Sequence, residues 1–191
     1  MTNEDYLKLF RKTGALKEGH FILTSGRHSP TYFQCALVMQ HPRYLQMMAE
    51  AIGEHFNTET IDVIISPAIG GIVLGTAVGQ VLGARTVFTE RVKGAMTLRR
   101  GFQIHPGERV LIVEDVITTG GSVREVQELV HQTGGEVVGV ATIVDRSGGK
   151  VRLHPKQLSL VSLKAVSFAP DEVPPELARI PPQKPGSRKE L

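Results

Sequence analysis

The apolar positions of the chain fall into short continuous runs separated by longer segments with helical periodicity. The runs predict strands at 61–67, 84–90, 109–115, 136–146 and 157–168. The periodic segments predict helices at 3–12, 41–56, 70–83 and 121–135. Apolar strands that do not alternate, separated by helices, indicate an α/β fold with a mostly parallel central sheet flanked by helices.

Both ends of the chain differ from this pattern. Residues 19–39 predict two short strands around a polar turn at Ser25 and Gly26, and about residues 1–40 are expected to form a small N-terminal hood on a single domain, 1–169. The last 22 residues, 170–191, contain six prolines. They predict a loosely docked, proline-rich C-terminal tail with one helical turn at 175–180.

Composition narrows the class of protein. Apolar residues make up 41% and charged residues 21% of the chain, which is typical of a soluble globular domain. A net charge of +3 is too small to indicate nucleic-acid binding. The uncharged stretch 63–84 is interrupted by Ser66 and Pro67, so we interpret it as a buried strand and a glycine-striped helix, not a membrane span. The single cysteine, Cys35, is predicted to be buried in the core. One cysteine cannot form an internal disulfide, which indicates the reducing environment of the cytoplasm.

The segment VLIVEDVITTGGSV, residues 110–123, carries the clearest chemistry. An apolar central strand leads to Glu114 and Asp115, and small residues then open the next helix. Backbone N–H groups at such a helix start suit a phosphate. The two carboxylates need hydroxyl groups or a metal beside that anion, so the pattern predicts a phosphorylated sugar. The alternative is an ordinary strand-to-helix turn capped by acidic residues.

These residues resemble the phosphoribosyl-pyrophosphate (PRPP) signature of the type I phosphoribosyltransferases. The resemblance implies that Glu114 and Asp115 are catalytic and hold the sugar hydroxyls. It implies that the PRPP-binding segment comprises Val116, Ile117, Thr118, Thr119, Gly120, Gly121 and Ser122. Magnesium is the expected cofactor, held through PRPP, with Asp115 as the one candidate ligand from the protein.

Two further segments resemble orotate phosphoribosyltransferases: residues 21–38, and VDRSGG at 144–149. The resemblance implies that Tyr32, Phe33, Thr118 and Arg146 bind orotate. An arginine can also hold the orotate carboxylate through two parallel hydrogen bonds. The alternatives are an ion pair between Arg146 and Asp145, and plain core packing for the two aromatic residues.

The segment FTERVKGAMTLRRGF, residues 88–102, lies where the family carries a mobile catalytic loop. Arg91 (PRPP-binding) and Lys93 (catalytic) are expected to offset pyrophosphate charge from the neighbouring chain of a homodimer. A solvated basic hairpin is the alternative.

Residues 66–72 match the position of the family's pyrophosphate-binding turn, with backbone donors at Ala68, Ile69 and Gly70. The alternative is a turn that only begins the next helix. Thr24 stands where these enzymes usually carry a lysine, and Ile69 and Gly70 replace an aromatic–lysine pair.

The resemblance spans about residues 3–168. It implies transfer of the phosphoribosyl group from PRPP to orotate, giving orotidine 5′-phosphate and pyrophosphate, with no nucleic-acid or membrane partner. Two alternatives stay open. One is a transferase for another base, a purine or uracil. The other is a regulator that binds PRPP without catalysis.

Overall fold

The computed structural model describes residues 1–23, 25–164 and 166–185, so Thr24, Ala165 and 186–191 lie outside the described residues. Its strands are β1 (Leu16–Ile22), β2 (His28–Phe33), β3 (Val63–Pro67), β4 (Arg85–Val92), β5 (Ala95–Leu98), β6 (Arg109–Ile117), β7 (Glu136–Asp145) and β8 (Gln157–Ser162). Its helices are α1 (Asn3–Thr13), α2 (Ala36–Met39), α3 (Pro42–His55), α4 (Gly70–Leu82), α5 (Gly121–Gln132) and α6 (Pro175–Ala178).

Within these ranges, the central sheet has six strands in the order β5-β4-β3-β6-β7-β8. The strands β4, β3, β6, β7 and β8 are parallel to their neighbours, and β5 is an antiparallel edge strand. The predicted mostly parallel sheet is therefore confirmed. β6 lies between β3 and β7, which gives the acidic motif the central position that the sequence indicated.

Alternate residues of β6 supply two separate hydrophobic clusters. Leu111 and Val113 pack with residues of α1, α3 and α4, whereas Val110 and Ile112 pack with residues of α5. Both faces of the sheet are thus covered, which explains why the strands are continuously apolar. Such burial is the main source of stability in a domain of this kind.

The glycines of α4 let the helix approach the sheet closely. A methyl group on Gly75 would lie 2.2 Å from Ser66 Oγ at the end of β3. Contact this close leaves no space for a side chain at Gly75 unless the Ser66 hydroxyl moves aside. None of the helices in the described part of the chain has the length and apolar character to cross a bilayer. Cys35 is buried in the core beside these helices, as predicted.

Within the predicted hood, about residues 1–40, β1 and β2 form an antiparallel hairpin. β8 ends at Ser162, earlier than predicted, because the chain then leaves the sheet and returns to this hairpin. Phe168 exchanges two backbone hydrogen bonds with His28, of 2.8 and 2.9 Å, and Gln183 exchanges two of 2.8 Å with His20 and Ile22. Phe168, just before the tail, thus borders β2, and the described part of the tail is docked on β1 through Gln183, so the expectation of loose docking is wrong there.

Candidate active site

The two acids of β6 are held by backbone contacts. Glu114 is 8% exposed, and its Oε1 accepts a hydrogen bond of 3.1 Å from the Asp115 N–H. Asp115 Oδ1 accepts one of 2.9 Å from the Val116 N–H. The strand continues to Ile117, so both acids lie within its last residues and not beyond its end. The carboxylates are consequently fixed before any ligand arrives.

Glu114 is electrostatically unfavourable as an anion. Removal from water raises its pKa well above the ordinary value, and the adjacent charge of Asp115 raises the pKa further. Charged groups in such surroundings are enriched in functional sites. A cationic or hydroxyl-bearing ligand at this position would relieve the cost of ionising Glu114.

The turn between β3 and α4 packs directly on these acids. A methyl group on Gly71 would lie 2.9 Å from the Val113 carbonyl oxygen and 3.3 Å from Glu114 Oε1. The Ala68–Ile69 peptide bond is cis, and the Ile69 side chain is 78% exposed. The Ala68 N–H donates to Thr89 O at 2.8 Å and extends the β3–β4 ladder. Ala68 is therefore not a free amide donor, which corrects its assignment as one.

The loop after β6 opens into a cavity of about 230 Å³. Its lining comprises Arg91, Glu114, Val116, Ile117, Thr118, Thr119, Gly120, Gly121, Ser122, Val123 and Glu125. The structure therefore brings Glu114 and the whole predicted PRPP-binding segment 116–122 to one place. Asp115 lies at the neighbouring turn, against Gly70.

Gly120 gives this loop its shape. Its φ of 76° is left-handed, and a methyl group there would lie 2.8 Å from Leu153 Cδ2. The first hydrogen bond across the start of α5 runs from the Arg124 N–H to Gly120 O, at 3.0 Å. The amides of 121–123 precede that bond and lie at the positive end of the helix dipole. This end of the cavity suits a phosphate group.

Arg146 follows β7 on the other side of the acids. Its backbone N–H donates to Ile117 O at 2.8 Å, and its side-chain Nε is buried without a hydrogen-bond partner among the described residues. Burial lowers the pKa of this guanidinium, an effect that Tyr32 and Cys35 oppose. Asp145 binds the N–H groups of Ser147 and Gly149 instead, at 2.7 and 2.8 Å. An ion pair between Arg146 and Asp145 is therefore the wrong alternative.

The aromatic pair of β2 is divided between two faces because side chains alternate along a strand. Tyr32 packs on Phe21 with 5.7 Å between ring centroids, and burial, the strongest influence, raises its pKa, while nearby Arg146 lowers it. Phe33 is 6% exposed and meets the edge of Phe10 at 6.1 Å. The expectation that Phe33 binds orotate is wrong, since its ring belongs to the core.

The predicted catalytic loop is an ordered hairpin of β4 and β5. Lys93 and Gly94 form its tip, with φ of 49° and 89°, and Lys93 is exposed there. Such positive values are typical of a tight two-residue hairpin turn. Arg91 lies lower on β4, at the cavity of its own chain, where it pairs with Glu125. Arg91 thus lies at the cavity of its own chain, and its expected contribution to the site of a neighbouring chain stays a prediction.

Comparison with known proteins agrees with this geometry. The family model described as "Phosphoribosyl transferase domain" matches residues 37–173. The orotate phosphoribosyltransferase of Chlorobium phaeobacteroides is 55% identical over 188 residues, which cover 98% of this chain and 97% of that protein. The chain belongs to the orotate phosphoribosyltransferase family. The family predicted from the motifs is therefore confirmed.

Solved structures of related transferases share the fold. The orotate phosphoribosyltransferase of Aeropyrum pernix is 24% identical, with a TM-score of 0.69 over 82% of this chain and 93% of that chain. The adenine phosphoribosyltransferase of Rhodothermus marinus is also 24% identical, with a TM-score of 0.63 over 82% of this chain and 99% of that chain. Because enzymes for different bases have this fold, the fold alone does not identify the base.

The sequence motifs did not include Glu125, which the structure places at the cavity. Glu125 lies in the first turns of α5 and accepts two hydrogen bonds from Arg91, of 2.8 and 3.0 Å. The two residues are 34 positions apart, so no local spacing connects them. The available signal was an acid placed shortly after a loop predicted to bind phosphate, where an unpaired negative charge would oppose the ligand.

Proposed function

We propose that this family member transfers the 5-phosphoribosyl group from PRPP to orotate, giving orotidine 5′-phosphate and pyrophosphate in pyrimidine biosynthesis. The observation that carries the proposal is the buried Arg146 Nε without a partner, beside the acids and the phosphate loop. A buried, unsatisfied donor is costly, and a planar ligand carboxylate would satisfy it. A relative that is 55% identical to this chain is named an orotate phosphoribosyltransferase, which points to the same base.

The phosphate and sugar of PRPP have separate partners in this proposal. The amides of Gly121, Ser122 and Val123, with the hydroxyls of Thr118 and Thr119, bind the 5-phosphate at the start of α5. Glu114 and Asp115 accept hydrogen bonds from the ribose hydroxyls. Desolvation of Glu114 strengthens this selection because a sugar hydroxyl provides a further donor to a carboxylate that is largely removed from water.

Catalysis in this arrangement rests on position and electrostatics. The bond between C1 of the ribose and pyrophosphate lengthens first, and the sugar carbon becomes cationic. The orotate ring nitrogen then attacks C1 and gives up its proton to the departing pyrophosphate, so one C–O and one N–H bond are broken and one C–N bond and one O–H bond are formed. Asp115 and Glu114 lie on the sugar side and stabilise the positive charge. No covalent intermediate with the protein is required.

Positive charge for the leaving group comes from Arg91 and from Lys93 at the hairpin tip. The amides of Ile69 and Gly70 are the remaining donors of the turn after β3. Magnesium, when bound, would neutralise pyrophosphate charge, and Asp115 is the candidate protein ligand for it. Among the described residues no cluster of three or more His, Cys, Asp or Glu side chains could hold a metal. PRPP and water would therefore supply most of the coordination.

Orotate is proposed to lie between Arg146 and Tyr32. Arg146 binds the carboxylate, Tyr32 contacts the ring, and Thr118 borders the same space from the phosphate loop. Tyr32 lies close enough to Arg146 and Asp115 for both charges to influence its pKa. The base would thus be held next to the sugar carbon that it attacks.

The proposal also covers the assembly of the protein, its cellular location and its domain organisation. The protein acts as a homodimer, with the exposed Lys93 tip reaching the partner's site. It acts in the cytoplasm, which agrees with a free, buried Cys35. The catalytic unit is the single domain 1–169 with its hood, and the proline-rich segment from residue 170 is an accessory to that hood.

The test is turnover of purified protein with orotate, PRPP and magnesium, followed by the loss of orotate absorbance in the ultraviolet. Adenine, hypoxanthine and uracil are offered in parallel, with pyrophosphate release as the common measurement. We expect pyrophosphate release with orotate and none with the other three bases. Preference for a purine or uracil would replace the proposed substrate, and PRPP binding without pyrophosphate release from any base would indicate a regulator.

A further inference from the structure

Glu125 connects the phosphate cavity to the β4–β5 hairpin. Its carboxylate accepts hydrogen bonds of 2.8 Å from Arg91 Nη2 and 3.0 Å from Arg91 Nη1. These bonds from Arg91 are the main cause that lowers the pKa of Glu125, and the nearby Met96 backbone N–H on β5 lowers the pKa further. All of these donors belong to the hairpin, while Glu125 itself belongs to the helix that begins at the phosphate loop. The pair therefore links two elements that both border the cavity.

The same contacts leave part of the Arg91 guanidinium available. Nη1 donates to Glu125 and to the Gly94 carbonyl oxygen, so both of its hydrogens are used. Nη2 uses one hydrogen for Glu125, which leaves its second hydrogen and the Nε–H. Arg91 lines the cavity, so a phosphate oxygen entering there would meet a guanidinium already fixed in orientation.

We infer that Glu125 is a positioning residue for PRPP, which orients Arg91 so that its remaining N–H groups face a phosphate oxygen of the ligand. This inference rests on the proposed function and assigns a role to a residue that does not itself bind the substrate. A fixed arginine loses less side-chain entropy on binding than a mobile one, so pre-orientation strengthens ligand binding.

A role in stability alone explains this pair poorly. Both side chains are well exposed, at 36% for Arg91 and 40% for Glu125, and exposed ion pairs contribute little to folding. A carboxylate beside a phosphate cavity would moreover repel its ligand if it stood alone. Pairing with Arg91 neutralises that charge and directs the guanidinium at the same time.

The experiment measures PRPP binding by calorimetry with magnesium present and orotate absent. Glu125→Ala is expected to weaken binding about tenfold, the value of one hydrogen bond between charged groups. Glu125→Asp, which retains the charge, should recover part of the loss. Glu128→Ala is the matched control, because Glu128 lies on the same helix and bonds to Gln132, away from the hairpin. Binding by this control should equal that of the unaltered protein.

The decisive comparison repeats Glu125→Ala in an Arg91→Ala background. If Glu125 acts through Arg91, the second substitution adds no further loss of affinity. Three results would overturn the inference. PRPP affinity could be unchanged in Glu125→Ala, it could be higher in Glu125→Ala, or Glu125→Ala could cause the same loss of affinity in the Arg91→Ala background as in the unaltered protein. Tighter binding would mean that the carboxylate only repels the ligand. Melting temperatures of all variants show whether a loss reflects altered folding.

Failure of this inference is distinguishable from failure of the proposed function. Normal turnover of orotate by the unaltered protein, together with normal PRPP binding by Glu125→Ala, would remove only the role of Glu125. A clear effect of Glu125 on PRPP binding, without any turnover of orotate, would remove only the assigned reaction. KM for PRPP should rise in Glu125→Ala in parallel with the dissociation constant.

Discussion

Gly70 and Asp115 are in direct contact across the site. A methyl group on Gly70 would lie 2.3 Å from Asp115 Oδ2 and 2.6 Å from its carboxyl carbon. The turn after β3 and the acidic end of β6, far apart in sequence, are thereby pressed together without room for a side chain. Because Oδ1 of Asp115 is held by the Val116 N–H, the carboxylate has little freedom to move away.

Gly70→Ala is expected to displace either the turn or Asp115, and kcat/KM should fall at least about tenfold because misplaced catalytic groups are costly. Val73→Ala serves as the control, since Val73 is an exposed residue of the same helix. Steady-state kinetics with orotate and PRPP provides the measurement. Activity of Gly70→Ala equal to that of the control would show that the contact has no catalytic importance.

Asp115→Asn should lower kcat by more than about tenfold, because the variant loses the negative charge that we propose stabilises the cationic sugar. Asparagine has nearly the same shape, and its Oδ1 can still accept from the Val116 N–H. The melting temperature should therefore change little. Near-normal turnover would remove the assigned role of the acid. Asp171→Asn, at an exposed position, controls for the loss of one surface charge.

Glu114→Gln should alter the pH dependence of stability. Burial raises the pKa of Glu114 in the folded protein, so the folded state binds more protons than the unfolded chain above pH about 4.3. The unaltered protein consequently loses stability as pH rises through the folded pKa. A neutral glutamine avoids this loss. The melting temperature of Glu114→Gln should therefore exceed that of the unaltered protein by about 2–4 °C for each kcal/mol gained in the free energy of unfolding.

This gain is expected at pH 8 in the ligand-free protein and should vanish towards pH 4. Thermal denaturation at a series of pH values provides the measurement, with the exposed Glu128→Gln as control. A difference between Glu114→Gln and the unaltered protein that is independent of pH would contradict burial of an ionisable carboxyl.

Arg146→Lys should raise KM for orotate by about tenfold or more, because lysine cannot form two parallel hydrogen bonds with a carboxylate. Calorimetry should show PRPP affinity close to that of the unaltered protein. Arg152→Lys is the control, since Arg152 is exposed and does not line the cavity. Equal effects on orotate and PRPP would argue that Arg146 supports the fold and does not recognise the base.

Features determined by neighbouring residues were predictable from the sequence. The run of apolar residues before Glu114 indicated a central strand, and the small residues after Ile117 indicated the start of the next helix. Both follow from chain geometry over a dozen positions. Alternation along β2 places Tyr32 and Phe33 on opposite faces of the hairpin. The sequence alone did not show which of these faces meets the core, so it did not show which of the two rings is buried there.

Contacts between distant segments were not predictable in this way. The pairing of Arg91 with Glu125 depends on how the hairpin folds back onto α5. The docking of Gln183 depends on an unpaired edge of β1, whereas the proline content of that segment indicated a loose tail. Proline removes only its own N–H, and Gln183 retains the donor that an edge strand needs.

Gln183→Pro tests whether the tail supports the base site. The substitution removes the N–H that donates to His20 O, while Gln183→Ala retains it. His20 is buried, so its carbonyl oxygen would be left without that partner, at a cost of about 1–3 kcal/mol. Thermal denaturation should show this loss for proline and almost none for alanine.

The catalytic consequence should be selective, because the hood carries Tyr32 whereas the phosphate loop belongs to the central sheet. Tyr32 packs on Phe21, which neighbours both backbone positions that bind Gln183. Fraying of this edge would therefore loosen the proposed orotate side of the site first. KM for orotate should rise in Gln183→Pro more than the dissociation constant for PRPP. An equal change in both, or a change of the same size in Gln183→Ala, would show that the docked tail does not support base binding.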